Sequence, residues 1–293
     1  MTIVITGCNG QLGNELCRIL KNGKSEIGEI PKQYKNAKVI PVDVDTLDIT
    51  DGAAVKEFLT DNSPDIVINC AAMTDVNGCE MKQDVAFKVN AKGVMNLAKE
   101  CKKIKAKFVH ISTDYVFAGN GTVPYCEWDT VNPQSIYGKS KALGEKYALA
   151  FNDKTFIVRT AWLYGYIGKN FVKTMRALGR SHSEIKVVND QRGNPTSAND
   201  LAHHLLLIAA TENYGIYHCT GKGECSWFDF ARKIMELSGI DCTVIPCTTE
   251  EFPTPAKRPA FSSLNNLALE CTVGDFMRDW ETALEEYISK VED

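Results

Sequence analysis

Several features are missing from this 293-residue sequence, and each absence narrows what it can be. No apolar run approaches the ~20 residues needed to cross a bilayer. The amino terminus opens on Thr2-Ile3-Val4-Ile5, with no basic leader before an apolar core and cleavage site. A cytoplasmic protein with no membrane partner is expected. Positive charge is in slight deficit, the net charge being −4, so there is no electrostatic footprint for nucleic acid. The one basic run, Lys99 to Lys107, suits a helix C-terminus, where cations are favourable. Eleven cysteines are present, but they are odd in number, scattered and never in CxxC spacing, which argues against a disulfide framework and a zinc site. The five histidines lack ligand spacing and read as packing or surface residues. No internal repeat or low-complexity tract is found.

What is present is an α/β pattern with enough apolar residues, 44%, for a proper core. Short β-branched or apolar runs at 2–6, 38–42, 65–70, 108–112 and 155–160 alternate with helical patterns. That alternation predicts a doubly wound parallel sheet of Rossmann type with right-handed crossovers. Helices are expected over about 82–103, where Asn90 interrupts the pattern, and about 135–151. After Thr160 the pattern changes: helices near 171–178, 199–211 and 273–291, a strand at 186–188 and a Pro-rich loop at 246–259. The expected division is a dinucleotide-binding domain over 1–162 and a smaller substrate-binding lobe over 163–293, partly interleaved with it.

The first strand ends in Gly7-Cys8-Asn9-Gly10-Gln11-Leu12-Gly13 and a helix follows. In this context a first glycine permits the tight turn, a second lets a pyrophosphate approach the backbone and a third lets the helix pack on the strand. The helix N-terminus then faces the phosphates. Asp43, Asp45 and Asp48 follow the second strand, where an acid commonly binds the adenosine ribose and repels a 2′-phosphate. On charge alone this favours NADH, although Arg18 or Lys35 could supply a phosphate contact. The same acids would also suit a solvated loop capping the helix from Asp51. Small residues, Ala71-Ala72, end the third strand and leave room for a ligand.

Thr113 ends the fourth strand, pointing at the same crevice, where its hydroxyl could hold a carbonyl oxygen. Tyr137 and Lys141 are four apart and share one helix face. A phenol has a pKa of ~10, and a neighbouring ammonium favours its phenolate. Such a tyrosine could hand a proton to a carbonyl oxygen as hydride reaches the carbon. A tyrosine and a lysine at this spacing also occur by chance on helix surfaces. Asn90, read as a residue, suits a polar surface position.

The GxxGxxG turn and the Tyr-x-x-x-Lys pair resemble the extended short-chain dehydrogenase/reductases. Within them the sequence is similar, over almost its whole length, to the dTDP-4-dehydrorhamnose reductase family. The motifs that carry this are the glycine turn, Ala71-Ala72-Met73-Thr74, Ser112-Thr113-Asp114-Tyr115-Val116-Phe117, Tyr137-Gly138-Lys139-Ser140-Lys141, Arg159-Thr160-Ala161-Trp162, Asn170-Phe171, Asp190-Gln191 with Gly193, Pro195-Thr196 and Arg258-Pro259. The resemblance implies Thr113, Tyr137 and Lys141 as the catalytic trio, with Lys141 holding the nicotinamide ribose and lowering the Tyr137 pKa, and Asn90 as a brace for the active site. It implies cofactor contacts at Gly7, Asn9, Gly10, Gln11, Leu12, Gly13, Asp48, Ile49, Ala71, Ala72, Thr74, Tyr137 and Lys141. Thr74, Val76, Thr113, Asp114, Tyr115, Tyr137 and Trp162 would line the sugar pocket, and Arg258 would meet the nucleotide diphosphate. Read as residues, Trp162 also suits a core and Arg258 a surface ion pair. The cofactor would be NADPH or NADH, while a Mg2+ ion and a homodimer are left open.

The implied reaction is reduction of the 4-keto group of dTDP-4-dehydro-L-rhamnose to dTDP-L-rhamnose, in polysaccharide precursor synthesis. Sugar-nucleotide dehydratases carry a glutamate where this sequence has Tyr115, so reduction is favoured over elimination. Asn77 stands where the family often has aspartate, which bears on the local loop. Two alternatives remain at this point. One is another nucleotide-sugar 4-ketoreductase, and the other a non-catalytic cofactor-binding subunit like the regulatory subunit of methionine adenosyltransferase.

Overall fold

A computed structural model describes residues 1–291; the last two residues of the lobe expected to run to 293 lie outside the described residues. The five predicted strands are present as β1 (Thr2–Thr6), β2 (Lys38–Val42), β3 (Ile66–Asn69), β4 (Lys107–Thr113) and β5 (Thr155–Thr160). A sixth, Gly215–His218, pairs parallel with β5 and was not expected from the sequence. Its four residues are too few to declare a period, and only the edge of β5 recruits them. The sheet is parallel throughout, in the order Gly215–His218, β5, β4, β3, β1, β2. The chain leaves β1 for β2 on one side and returns for β3 on the other. This reversal makes the β1/β3 carboxyl ends the crevice where such sheets hold ligands.

Both sheet faces are covered, which explains the near-continuous apolar runs of β1 and β3. On one side Ile3, Ile5, Ile66 and Ile68 pack with Leu16 and Ile19 of the Gln11–Asn22 helix and with Leu201 and Leu205 of the Ala198–Ala209 helix. On the other, Val4 and Val67 meet Val55 and Leu59 of the Gly52–Asn62 helix and Leu97 of the Val94–Ile104 helix. A separate cluster joins Tyr164, Phe230, Trp280 and Leu284 in the C-terminal part. There the Glu184–Val188 strand pairs with a Thr243–Cys247 strand that the sequence reading missed, as it did the Trp227–Ser238 helix.

The expected 82–103 helix is present from Gln83 to Ile104, opened into a wider π-type turn over Lys88–Gly93, and a separate short helix, Val76–Met81, precedes it. The expected 273–291 helix begins only at Trp280 and runs to Lys290; a separate helix, Leu267–Val273, precedes it and is closed by Gly274 at φ +85°. Asp51, and not Asp48, caps the Gly52–Asn62 helix, its carboxylate accepting the N–H groups of Ala53 and Ala54.

Candidate active site

The cleft begins at the glycine turn. Gly7 takes φ +65°, and a side chain there would meet the backbone of Ala71 at 2.7 Å, so the turn touches the end of β3 across the crevice. At Gly13 an added Cβ would lie 2.3 Å from the Gly7 carbonyl oxygen. Among the described residues no side chain caps the Gln11–Asn22 helix at Gly10, which leaves the N–H groups of its first turn for an anion. The turn therefore fits a dinucleotide pyrophosphate. The Asp43 carboxylate braces it, accepting the Asn9 N–H at 2.9 Å and the Val44 N–H at 2.8 Å.

From here a cleft of about 780 Å³ runs over the ends of β3 and β4. Every site residue expected from the sequence lines it except Asn9, whose N–H is turned to Asp43. Asp48 and Ile49 lie at one end; bonds from the Thr50 hydroxyl and N–H hold the exposed Asp48 carboxyl below its usual range. Neither Arg18 nor Lys35 lines the cleft; Arg18 is paired with Glu15. Asp43 does, together with residues that the sequence reading did not single out, among them Met73, Thr160, Lys169 and Trp227. Lys169, exposed beside Asn170, and Trp227, at the head of its helix, carry no local motif that announces a site.

The Ile136–Phe151 helix carries Tyr137 and Lys141 into this cleft. Ser135 caps it by accepting the Gly138 N–H at 3.1 Å, and Glu80 accepts the Ile136 N–H at 2.8 Å. A Cβ at position 138 would lie 2.1 Å from the Tyr115 carbonyl oxygen, so the glycine lets this helix seat against the end of β4. Asn90 lies in the π-type turn, fully buried. Its amide donates to the Met73 carbonyl and the Ser140 hydroxyl, both at 3.0 Å, and accepts the Met73 N–H at 2.8 Å. It is therefore an internal tie between the β3 exit and the Tyr137 helix, not a surface residue.

Thr113 is 5% exposed and its hydroxyl donates to Asp114 Oδ1 at 2.8 Å. The same hydroxyl faces the Tyr137 phenol. Burial drives the phenol well above its ordinary range, opposed by Thr113 and reinforced by Asp114 and Tyr115. The expected lowering of this phenol by Lys141 is not what the structure shows. The Lys141 ammonium donates instead to the Ile111 carbonyl at 2.5 Å, and burial pushes it down to about 8 against the pull of Glu145 and Cys70. Glu145, one turn along the helix, accepts the Ser112 hydroxyl at 2.5 Å and pairs with buried Arg159 at 2.8 and 2.9 Å. That pair locks the helix to β4 and β5 directly beneath Thr113.

The far wall comes from the C-terminal part. Trp162, at φ +46°, stacks on Trp227 with ring centroids 3.5 Å apart. The Arg258 guanidinium donates to the Tyr115 hydroxyl at 3.2 Å, and Tyr115 meets Tyr137 edge to face at 5.5 Å. Asn77 accepts the Ala256 N–H at 3.4 Å, a bond that an aspartate could also make, so the unusual residue is accommodated without rearrangement. Among the described residues no group of three or more His, Cys, Asp or Glu side chains could hold a metal ion, so the Mg2+ left open by the resemblance gains no support. None of the described helices is long and apolar enough to cross a membrane.

A doubly wound parallel sheet with a glycine turn at its reversal point and a Thr, Tyr and Lys set over β4 is the architecture of the extended short-chain dehydrogenase/reductases. Within that class, residues 1–292 match the sequence model of the family described as RmlD substrate binding domain, and the chain belongs to this family. It is 42% identical over 288 residues to a spore coat polysaccharide biosynthesis protein of Bacillus subtilis, covering 98% of this chain and 97% of that one. It is similar to the crystal structure of a dTDP-4-dehydrorhamnose reductase of Clostridium acetobutylicum, with 53% identity, a TM-score of 0.93 and 99% of each chain covered. A dTDP-4-dehydrorhamnose reductase of Bacillus anthracis, solved in complex with NADP, gives 39% identity and a TM-score of 0.92, again with 99% of each chain covered.

Proposed function

We propose that the protein reduces the 4-keto group of dTDP-4-dehydro-L-rhamnose to dTDP-L-rhamnose with NADPH or NADH, in the cytoplasm. The observation that carries this is the convergence of Thr113, Tyr137 and Lys141 on the cleft that begins at the glycine turn. Reduced nicotinamide, when bound, supplies a hydride to the keto carbon. The turn and the open first helical turn would hold its pyrophosphate, Asp48 and Ile49 its adenosine end, and Lys141 its ribose.

The protein's own task is to orient the ketone and to deliver a proton. The Thr113 hydroxyl would hold the keto oxygen beside the Tyr137 phenol, which gives that oxygen its proton. Burial keeps the phenol protonated until hydride makes the keto oxygen basic enough to take the proton. Trp162, stacked on Trp227, offers a flat wall for the sugar, and Thr74, Val76 and Tyr115 complete the pocket. Arg258 would pair with the nucleotide diphosphate, exchanging a bond to Tyr115 for charge-assisted ones. With Tyr115 at the position after Asp114, no carboxyl acid stands there to expel a hydroxyl group.

The test is absorbance loss of NADPH and of NADH with dTDP-6-deoxy-L-lyxo-4-hexulose, with the product identified by its stereochemistry. Loss with neither cofactor would reject the proposal. A different epimer would reassign the sugar. Sedimentation of the purified protein decides between monomer and homodimer.

A further inference from the structure

We propose that Asp114 is a proton store that reloads Tyr137 through the Thr113 hydroxyl. The proposal rests on the ketoreductase reading above and adds a group to it. Asp114 begins the turn that follows β4 and is only 3% exposed, yet it lines the cleft. Its Oδ1 accepts the Thr113 hydroxyl at 2.8 Å, and that hydroxyl stands on the Tyr137 side of the carboxyl, all three groups lining the same cleft. Its Oδ2 is buried with no hydrogen-bond partner among the described residues. The Ser262 hydroxyl, which lies toward the carboxyl, is likewise without one.

A buried carboxylate oxygen left bare is costly, and a proton on the group relieves that cost. The groups facing Asp114 are the Thr113 hydroxyl on β4, the Tyr115 N–H, Ser262 from the C-terminal part, and the phenols of Tyr115 and Tyr137. The nearby guanidinium of Arg258 is bonded to the Tyr115 hydroxyl. Burial accordingly pushes the Asp114 carboxyl up to about 6, against the bond from Thr113 and the nearby Ser262 hydroxyl. Lys141, one turn along the helix from Tyr137, is turned to the Ile111 carbonyl, and Glu145 is paired with Arg159.

The step balances. When the keto oxygen takes the phenolic proton, Tyr137 is left as phenolate. With the carboxyl proton on Oδ1, the oxygen 2.8 Å from Thr113 Oγ1, Asp114 passes that proton to Thr113 Oγ1 as Thr113 passes its hydroxyl proton to the phenolate. One proton moves in net terms, Asp114 is left as carboxylate, and water reprotonates it after product release.

Rapid mixing of the protein, loaded with reduced nicotinamide, with the 4-keto nucleotide sugar separates the first turnover from the steady state. Asp114→Asn keeps the side-chain shape and removes the proton. The steady state is expected to fall at least ~10-fold further than the first turnover, and a weak acid such as imidazolium buffer restores much of the difference. Equal losses in the two phases, or no loss, overturn the relay while leaving the reductase reading intact. The unaltered protein gives a check that does not depend on the variant folding. Its steady-state rate should fall as pH rises through about 6 and should curve in H2O/D2O mixtures, because two protons move together. A linear dependence on D2O overturns the relay, and no oxidation of nicotinamide at all overturns both proposals.

Discussion

The two ends of the cleft are built by opposite means. The glycine-turn end is made of backbone from one stretch, residues 7–13, and works by closeness, with carbonyl and N–H groups packed where no side chain fits. The opposite end is made of side chains from five separated segments, at 74–76, 113–115, 137–141, 162 and 258, held by buried hydrogen bonds and by the Glu145–Arg159 pair. The first should reject any side chain where an added Cβ meets backbone closer than 3.0 Å, as at Gly7 and Gly13. The second should tolerate small changes of volume and few changes of chemistry.

The sharpest test of that contrast is Gly13→Ala, whose methyl would lie 2.3 Å from a backbone oxygen. Loss of the folded protein or of measurable dinucleotide binding is expected, read by circular dichroism and fluorescence titration. Gly10→Ala, whose methyl meets the Gly7 oxygen at 3.3 Å, should fold and bind measurably. Equal behaviour of the two would break the closeness argument. At the other end, Tyr137→Phe adds no volume and should lower kcat by ~100-fold or more, the usual consequence of removing a general acid. Dinucleotide affinity should stay close to that of the unaltered protein.

A smaller effect is expected at Arg258. Replacement by Ala removes charge-assisted bonds worth about 1.5–3 kcal/mol, so KM for the nucleotide sugar should rise by roughly 10-fold or more with little change in kcat. A change in kcat alone would move Arg258 away from the diphosphate. The smallest effect is in pH. Lys141 is charged below about 8 and loses its proton above it, so the first-turnover rate should decline as pH rises through that value. Binding of ADP-ribose, which would probe the backbone end, should stay level from pH 6 to 9. A parallel decline would mean that the two ends are not independent.

The glycine turn was legible because all its determinants lie within seven residues that a strand and a helix bracket. The Tyr137–Lys141 spacing was legible for the same reason. Trp227 and Lys169 were not, since nothing in their own neighbourhoods marks them. They reach the cleft only because the Phe171–Ser181 and Trp227–Ser238 helices pack together around Phe171 and Phe230. Asn90 left two readings open, and only its full burial and three bonds decide between them.

By itself, then, the sequence determined the parallel sheet up to β5, the glycine turn and the helix that presents Tyr137 and Lys141, because short-range periodicity and glycine sterics act along the chain. Tertiary structure decided the sixth strand, the wall of Trp162 and Trp227, and the electrostatics of the site. A pKa depends on everything that displaces water around a group. Thus the ammonium that spacing placed beside the phenol is turned to Ile111, the phenol is driven up rather than down, and Asp114 becomes a buried acid beside Thr113.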